Sequence, residues 1–95
     1  MTAPANLVRV TRLQPMEAVC FDGSKVHADQ IIEWIRAAHE YEVPQGHYQA
    51  QTVYQPLRSG EVLGAVAGWW IVRVRHQQFV AYAPAVFPTL FEVVP

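Results

Sequence analysis

Only one stretch of this 95-residue chain carries helical periodicity, which restricts the fold to a single long helix set against strands. From about Lys25 to Tyr41, the residues Ala28, Ile31, Ile32, Ile35 and Ala38 recur at the i, i+3, i+4, i+7 spacing of an amphipathic helix. Trp34 and Tyr41 widen the apolar stripe. Asp22-Gly23-Ser24 supplies turn chemistry and a candidate N-cap before it, and Val43-Pro44-Gln45-Gly46 stops it. Glu33, Arg36 and Glu40 fall on the opposite side, where Arg36 can pair with either acid.

The remainder reads as short strands. Leu7 to Leu13 alternates apolar with polar, and Pro15 ends or bends that run. Met16 to Phe21 is a second short β-like run, and His47 to Tyr54 alternates again as one strand. Glu61 to Ala67 is weakened as a strand by Gly64. Trp69 to Arg75 and Gln78 to Ala83 form two strands joined near His76-Gln77; Pro84 to Thr89 holds one helical turn, and Phe91 to Val94 closes the chain as a strand. The expectation is an α+β single domain over residues 1–95 with a flexible amino terminus at 1–6. In it, one amphipathic helix packs on a mainly antiparallel sheet of about 4–6 strands.

Composition narrows the function. Charged residues are 16% of the chain, against a usual value of about 25%. With a net charge of −1, the 7 Lys and Arg are scattered from Arg9 to Arg75. No basic stripe marks nucleic acid as a partner. The longest uncharged apolar stretch, Val62 to Val72, is about half the ~20 residues of a membrane span, so no membrane partner is expected and the run reads as buried strand. The amino terminus lacks a basic segment followed by an apolar run, so no signal peptide is expected. Cys20 has no second cysteine to pair with, which suits a reducing cytoplasm.

Catalytic groupings are missing. His27 and His39 lie about 120° apart on the predicted helix and cannot share a metal as an i, i+4 pair can. Cys20 sits in the apolar run Ala18-Val19-Cys20-Phe21, which hides a thiol rather than activating it. Ser24 and Ser59 stand in no nucleophile elbow, and Asp29 and Glu33 read as a solvated helix face. Gly60, Gly64 and Gly68 match no phosphate loop. The expectation is a protein that is not an enzyme, with no metal and no cofactor.

The carboxyl-terminal hairpin holds the most informative surface. A turn at His76-Gln77 pairs 74 with 79, 72 with 81 and 70 with 83, which puts Trp70, Val72, Val74, Phe79, Ala81 and Ala83 on one core face. The reverse face then carries Trp69, Ile71, Arg73, Val80 and Tyr82, residue types that dominate protein interfaces. These five are the candidate partner-binding residues. Two occupants stay open for that face: the segment Phe87 to Val94 folding back over it, or another protein chain, including a second copy in a homodimer.

The run Gly68-Trp69-Trp70-Ile71-Val72-Arg73-Val74-Arg75-His76-Gln77-Gln78-Phe79, followed by Pro84, Phe87, Phe91 and Glu92, resembles the ending of a family of small proteins encoded by bacteriophages and prophages. That ending reads roughly Gly-Asp-Trp-Ile-Val, a glycine-containing turn, Glu-Phe-Tyr-Pro, Pro-Asp-Ile-Phe and Tyr-Glu. Glu17-Ala18-Val19-Cys20-Phe21-Asp22-Gly23 and the helix after it are similar to the family's opening. The chain departs from the pattern at Trp69 and Ala85, where the family has Asp, and at Val74 and Gln77, where Gly is common. The resemblance implies an accessory protein of an actinobacterial, mycobacterial phage that acts in the host cytoplasm by binding and perturbing a host bacterial protein. Its alternatives are a minor virion or assembly component, or a small nucleic-acid-binding module.

Overall fold

A computed structural model describes residues 3–11, 15–39 and 42–94, with Pro15 described by its backbone alone. Helix α1 spans Lys25–Ala38, and Ser24 caps it: its hydroxyl accepts the His27 backbone N–H at 3.1 Å. The Asp22 carboxylate accepts the Ser24 N–H at 2.8 Å and fixes the turn into the helix. The helix ends at Ala38, three residues before the expected Tyr41, because His39 turns to an extended backbone and its Nδ1 donates to the Ile35 carbonyl at 2.7 Å. Arg36 Nε donates to the Val43 carbonyl at 3.3 Å; its expected pairing with Glu40 lies outside the described residues.

Among the described residues, eight strands form two antiparallel sheets, giving an α+β fold. Strands β1 (Leu7–Thr11), β2 (Pro15–Cys20), β6 (Trp70–Arg75), β7 (Gln78–Tyr82) and β8 (Glu92–Val94) build the larger, in the order β7-β6-β2-β1-β8. Strands β3 (His47–Gln49), β4 (Thr52–Pro56) and β5 (Val62–Val66) build the smaller. The expected single strand from His47 to Tyr54 is two strands of a hairpin, which turns at Ala50 and Gln51 with φ of 51° and 59°. Both are left-handed without the Asn or Gly that normally announces such a turn, so alternation ran unbroken through it. This hairpin adds one strand to the seven runs legible in the sequence, and the eight described strands exceed the expected 4–6.

Helix α1 packs against both sheets. Ile31, Ile32, Trp34 and Ile35 share one core cluster with Val53, Leu63 and Ala65 of the small sheet and with Val19, Ile71 and Phe79 of the large one. Burying such side chains contributes about 1.5–3 kcal/mol each. Gln55 is fully buried at the end of this core and satisfied: its Oε1 accepts the Gly46 N–H at 2.8 Å, and its Nε2 donates to the carbonyls of Pro44 and Pro56. Gly46 is required there, since a Cβ would lie 2.0 Å from the Tyr54 carbonyl oxygen. At the amino end, where a flexible terminus is expected for residues 1–6, Pro4 is buried and Ala5 is held from both sides. Its N–H donates to Gln30 Oε1 at 2.9 Å, and its carbonyl accepts from His27 Nε2 at 2.7 Å.

The β6–β7 hairpin turns at the expected His76-Gln77, but its register differs from the expected one. Arg75 pairs with Gln78, then Arg73 with Phe79, Ile71 with Ala81 and Trp70 with Tyr82, so Val74 is a bulge. A one-residue slip moves one strand's side chains to the other face relative to its partner's. Ile71 and Arg73 therefore share the helix side with Phe79 and Ala81, while Trp70, Val72 and Val74 share the far side with Val80 and Tyr82.

The far side is covered by this chain itself. Residues 83–91, including the short helix α2 (Phe87–Leu90), fold back across it. Phe87 and Phe91 join Val10, Ala18 and Val72 in a second core cluster. The Phe87 ring stacks on Trp70 at 4.0 Å and an interplanar angle of 3°, and Phe91 meets Tyr82 edge-on at 5.2 Å.

Candidate interaction surface

The five residues expected to form one partner-binding face do not share a face. Ile71 is fully buried under α1, and Trp69 packs beside the same cluster from the segment before β6. Arg73 lies on the helix side, its guanidinium carbon 5.7 Å from the centre of the Phe79 ring. There it holds the hairpin turn: Nε donates to the His76 carbonyl at 2.9 Å, Nη2 to His76 Nδ1 at 2.8 Å, and Nη1 to Glu17 at 3.3 Å. Tyr82 rests against Phe91 on the opposite side. Val80 lies half-buried on β7, the edge strand of the large sheet, beside the surface hollows next to β5. The bulge at Val74 is the physical reason for the split.

The reactive side chains are placed as structural parts. Cys20 is half-buried, its Sγ 3.7 Å from the Gly68 carbonyl, and burial pushes its thiol pKa up, with the Asp22 charge adding to the effect. His27 is buried, with Nδ1 accepting the Asp22 N–H at 3.0 Å and Nε2 donating to Ala5, which fixes its tautomer. The Asp22 carboxyl is held below its ordinary pKa by the hydrogen bonds from Ser24. Among the described residues, no three His, Cys, Asp or Glu side chains converge where they could hold a metal ion. Nor is any described helix long and apolar enough to cross a membrane.

Exposed strand valines lie elsewhere, on β5 of the small sheet and on the edge strand β8, where Val93 and Val94 are exposed. Val62 is 59% exposed and Val66 44%, both on the outer face of β5, with Gly64 between them. Tyr54 of β4 pairs with Gly64 and lies over it, its ring within 3.7 Å of where a Cβ would stand. The missing side chain makes room for the ring, which also stacks on His47 at 4.8 Å. The uncharged run Val62 to Val72 reads as buried strand from sequence, whereas in the structure Leu63 and Ala65 are buried and Val62 and Val66 face outward.

Beside this face, β5 runs next to β7 without pairing to it, and both are sheet edges. Between them lie two adjoining hollows of about 300 and 220 Å³, both lined by Leu57, Glu61, Phe79 and Val80. No family model, curated protein or solved structure matches the chain.

Proposed function

We propose that this chain is a non-enzymatic binding protein that docks a partner protein against the side formed by β5 and the neighbouring edge of β7. One observation carries the reading. Strands β2 and β6 of the large sheet are packed on both faces from within, and Val62 and Val66 remain exposed together on one strand face beside Tyr54. Val26 and Val86 are exposed singly, and Val93 and Val94 on β8 are successive strand residues that point to opposite faces, so none of them forms a shared apolar face. The resemblance of the chain's ending to phage-encoded proteins supports a host bacterial protein as the partner and the host cytoplasm as the place of action. Two copies meeting through the same side would form a homodimer, which light scattering across a concentration series reads directly.

Affinity capture from a bacterial lysate, with wild type beside a V62E/V66E variant, tests the reading. Both side chains point to solvent, so the variant should stay within about 0.5 kcal/mol of wild-type stability. A host protein retained by wild type and lost by the folded variant supports the reading. Identical capture by both contradicts it.

A further inference from the structure

The tip of the β6–β7 hairpin gathers hydrogen-bond donors around one hollow. Arg58, Arg75, His76, Gln77 and Gln78 line this open space of about 450 Å³. Each of the five carries side-chain N–H donors and none is acidic, a lining suited to an anion. Arg75 is exposed, and among the described residues no hydrogen bond or ion pair engages its guanidinium.

Two of these donors are set by their neighbours. A guanidinium can only donate, so where Arg73 Nη2 meets His76 Nδ1 at 2.8 Å the imidazole nitrogen is the acceptor and the ring proton sits on Nε2. Arg73 Nε also donates to the His76 carbonyl at 2.9 Å, which fixes the ring and the turn backbone together. Arg73 is itself held by Glu17 at 3.3 Å and by the Phe79 ring. Gln77 is oriented in the same way: its Oε1 accepts from Arg58 at 3.1 Å, which leaves the amide NH₂ to donate. Glu17 balances the charge of Arg73, and Glu61 lines the neighbouring hollow but not this one, so the charge of Arg75 stays uncompensated.

We propose that this hollow binds a phosphate group. Arg75 supplies the countercharge, His76 Nε2–H and the amides of Gln77 and Gln78 supply neutral donors, and Arg73 is a positioning residue that keeps His76 in its donor form. Donors from several side chains match the three terminal oxygens of a phosphate better than the two of a carboxylate. One uncompensated arginine suits a single phosphate rather than a polyanion, in keeping with the missing basic stripe. The free ion and a small phosphomonoester share this chemistry. The site lies at the turn and does not depend on docking at β5.

Inorganic phosphate and methyl phosphate titrated into ¹⁵N-labelled full-length protein at low salt test it, with acetate at matched ionic strength as the reference. Saturable amide shifts are expected in 75–78, with acetate binding more weakly. Arg75→Gln, at an exposed side chain without partners, should weaken phosphate binding about two- to fivefold. Arg73→Lys keeps the charge but loses the fork that reaches both the ring and the carbonyl of His76. The ring ¹⁵N spectrum of His76 should then pass from the Nε2–H tautomer to a mixture, and phosphate binding should weaken with it, while thermal unfolding checks that the variant is folded. Equal binding of the two phosphates assigns the ligand as a phosphomonoester, and binding of inorganic phosphate alone assigns the free ion. Absence of saturable shifts in 75–78, shifts that acetate reproduces at the same concentration, or phosphate binding unchanged by Arg75→Gln overturns the inference.

Discussion

Phe87→Ala asks whether the carboxyl-terminal turn is a structural cover for the large sheet. Phe87 is 3% exposed and sandwiched between two rings, with Trp70 at 4.0 Å and Phe91 at 5.3 Å. Truncating a buried Phe to Ala costs about 3–5 kcal/mol through lost transfer energy and the cavity left behind. A chain of this length has a total stability of roughly 5–14 kcal/mol, so the loss is a large fraction of it. For a domain of this size each kcal/mol shifts the midpoint by about 4–8 °C, which predicts a fall in Tm of at least about 12 °C. Urea unfolding reads the free-energy loss and thermal unfolding the fall in Tm, both followed by tryptophan emission, because Trp70 loses its stacking partner and gains water. Val86→Ala, one residue away at 44% exposure, is the control and should change stability by less than about 0.5 kcal/mol. A Phe87→Ala loss below about 1 kcal/mol with unchanged emission would show that the turn does not seat on the sheet.

Three further perturbations address particular residues. Ala50→Asn with Gln51→Gly places suited residues at both left-handed positions of the β3–β4 turn and should raise stability by about 1–2 kcal/mol in urea unfolding; a loss would refute that turn. Gln55→Leu removes the partners of Gly46, Pro44 and Pro56 at once and should cost more than about 2 kcal/mol, whereas a neutral outcome would mean water replaces all three bonds. Asp22 has a folded pKa below its ordinary 3.8, chiefly through Ser24, so its contribution to stability is present above pH 3.8 and is lost as pH falls through the lower folded value. Asp22→Asn should therefore flatten the acid limb of a stability–pH curve, and superimposable acid limbs would contradict the Ser24 bond.

The helix was legible because its cap and its stripe agree: Ser24 caps it, and Ile31 and Ile35 lie on one buried side; its end was not, since the chain turns away at His39, ahead of the stop at Val43-Pro44. The position of the β6–β7 turn was legible as well. What escaped was geometry without a residue signal. A bulge at Val74 leaves the apolar pattern of β6 intact while changing which partner each residue meets, so five plausible interface residues were assigned to a face they do not share. Ala50 and Gln51 adopt a turn with none of the usual turn residues. Whether Phe87 and Phe91 cover their own sheet or leave it to another chain depends on the path of residues 83–86, which alternation does not encode. The exposed face of β5 escaped because Leu63 and Ala65 are buried and Val62 and Val66 are not, a difference of position rather than of residue type.

The register of β6 against β7 decides whether the partner surface lies on the reverse side of this hairpin or on β5 and the β7 edge, and interstrand NOEs in labelled protein measure it directly. The structure predicts backbone NOEs linking Arg73 with Phe79, Ile71 with Ala81 and Trp70 with Tyr82. NOEs linking Val74 with Phe79, Val72 with Ala81 and Trp70 with Ala83 would remove the bulge, reunite Ile71 and Arg73 with Val80 and Tyr82 on one face, and contradict the account.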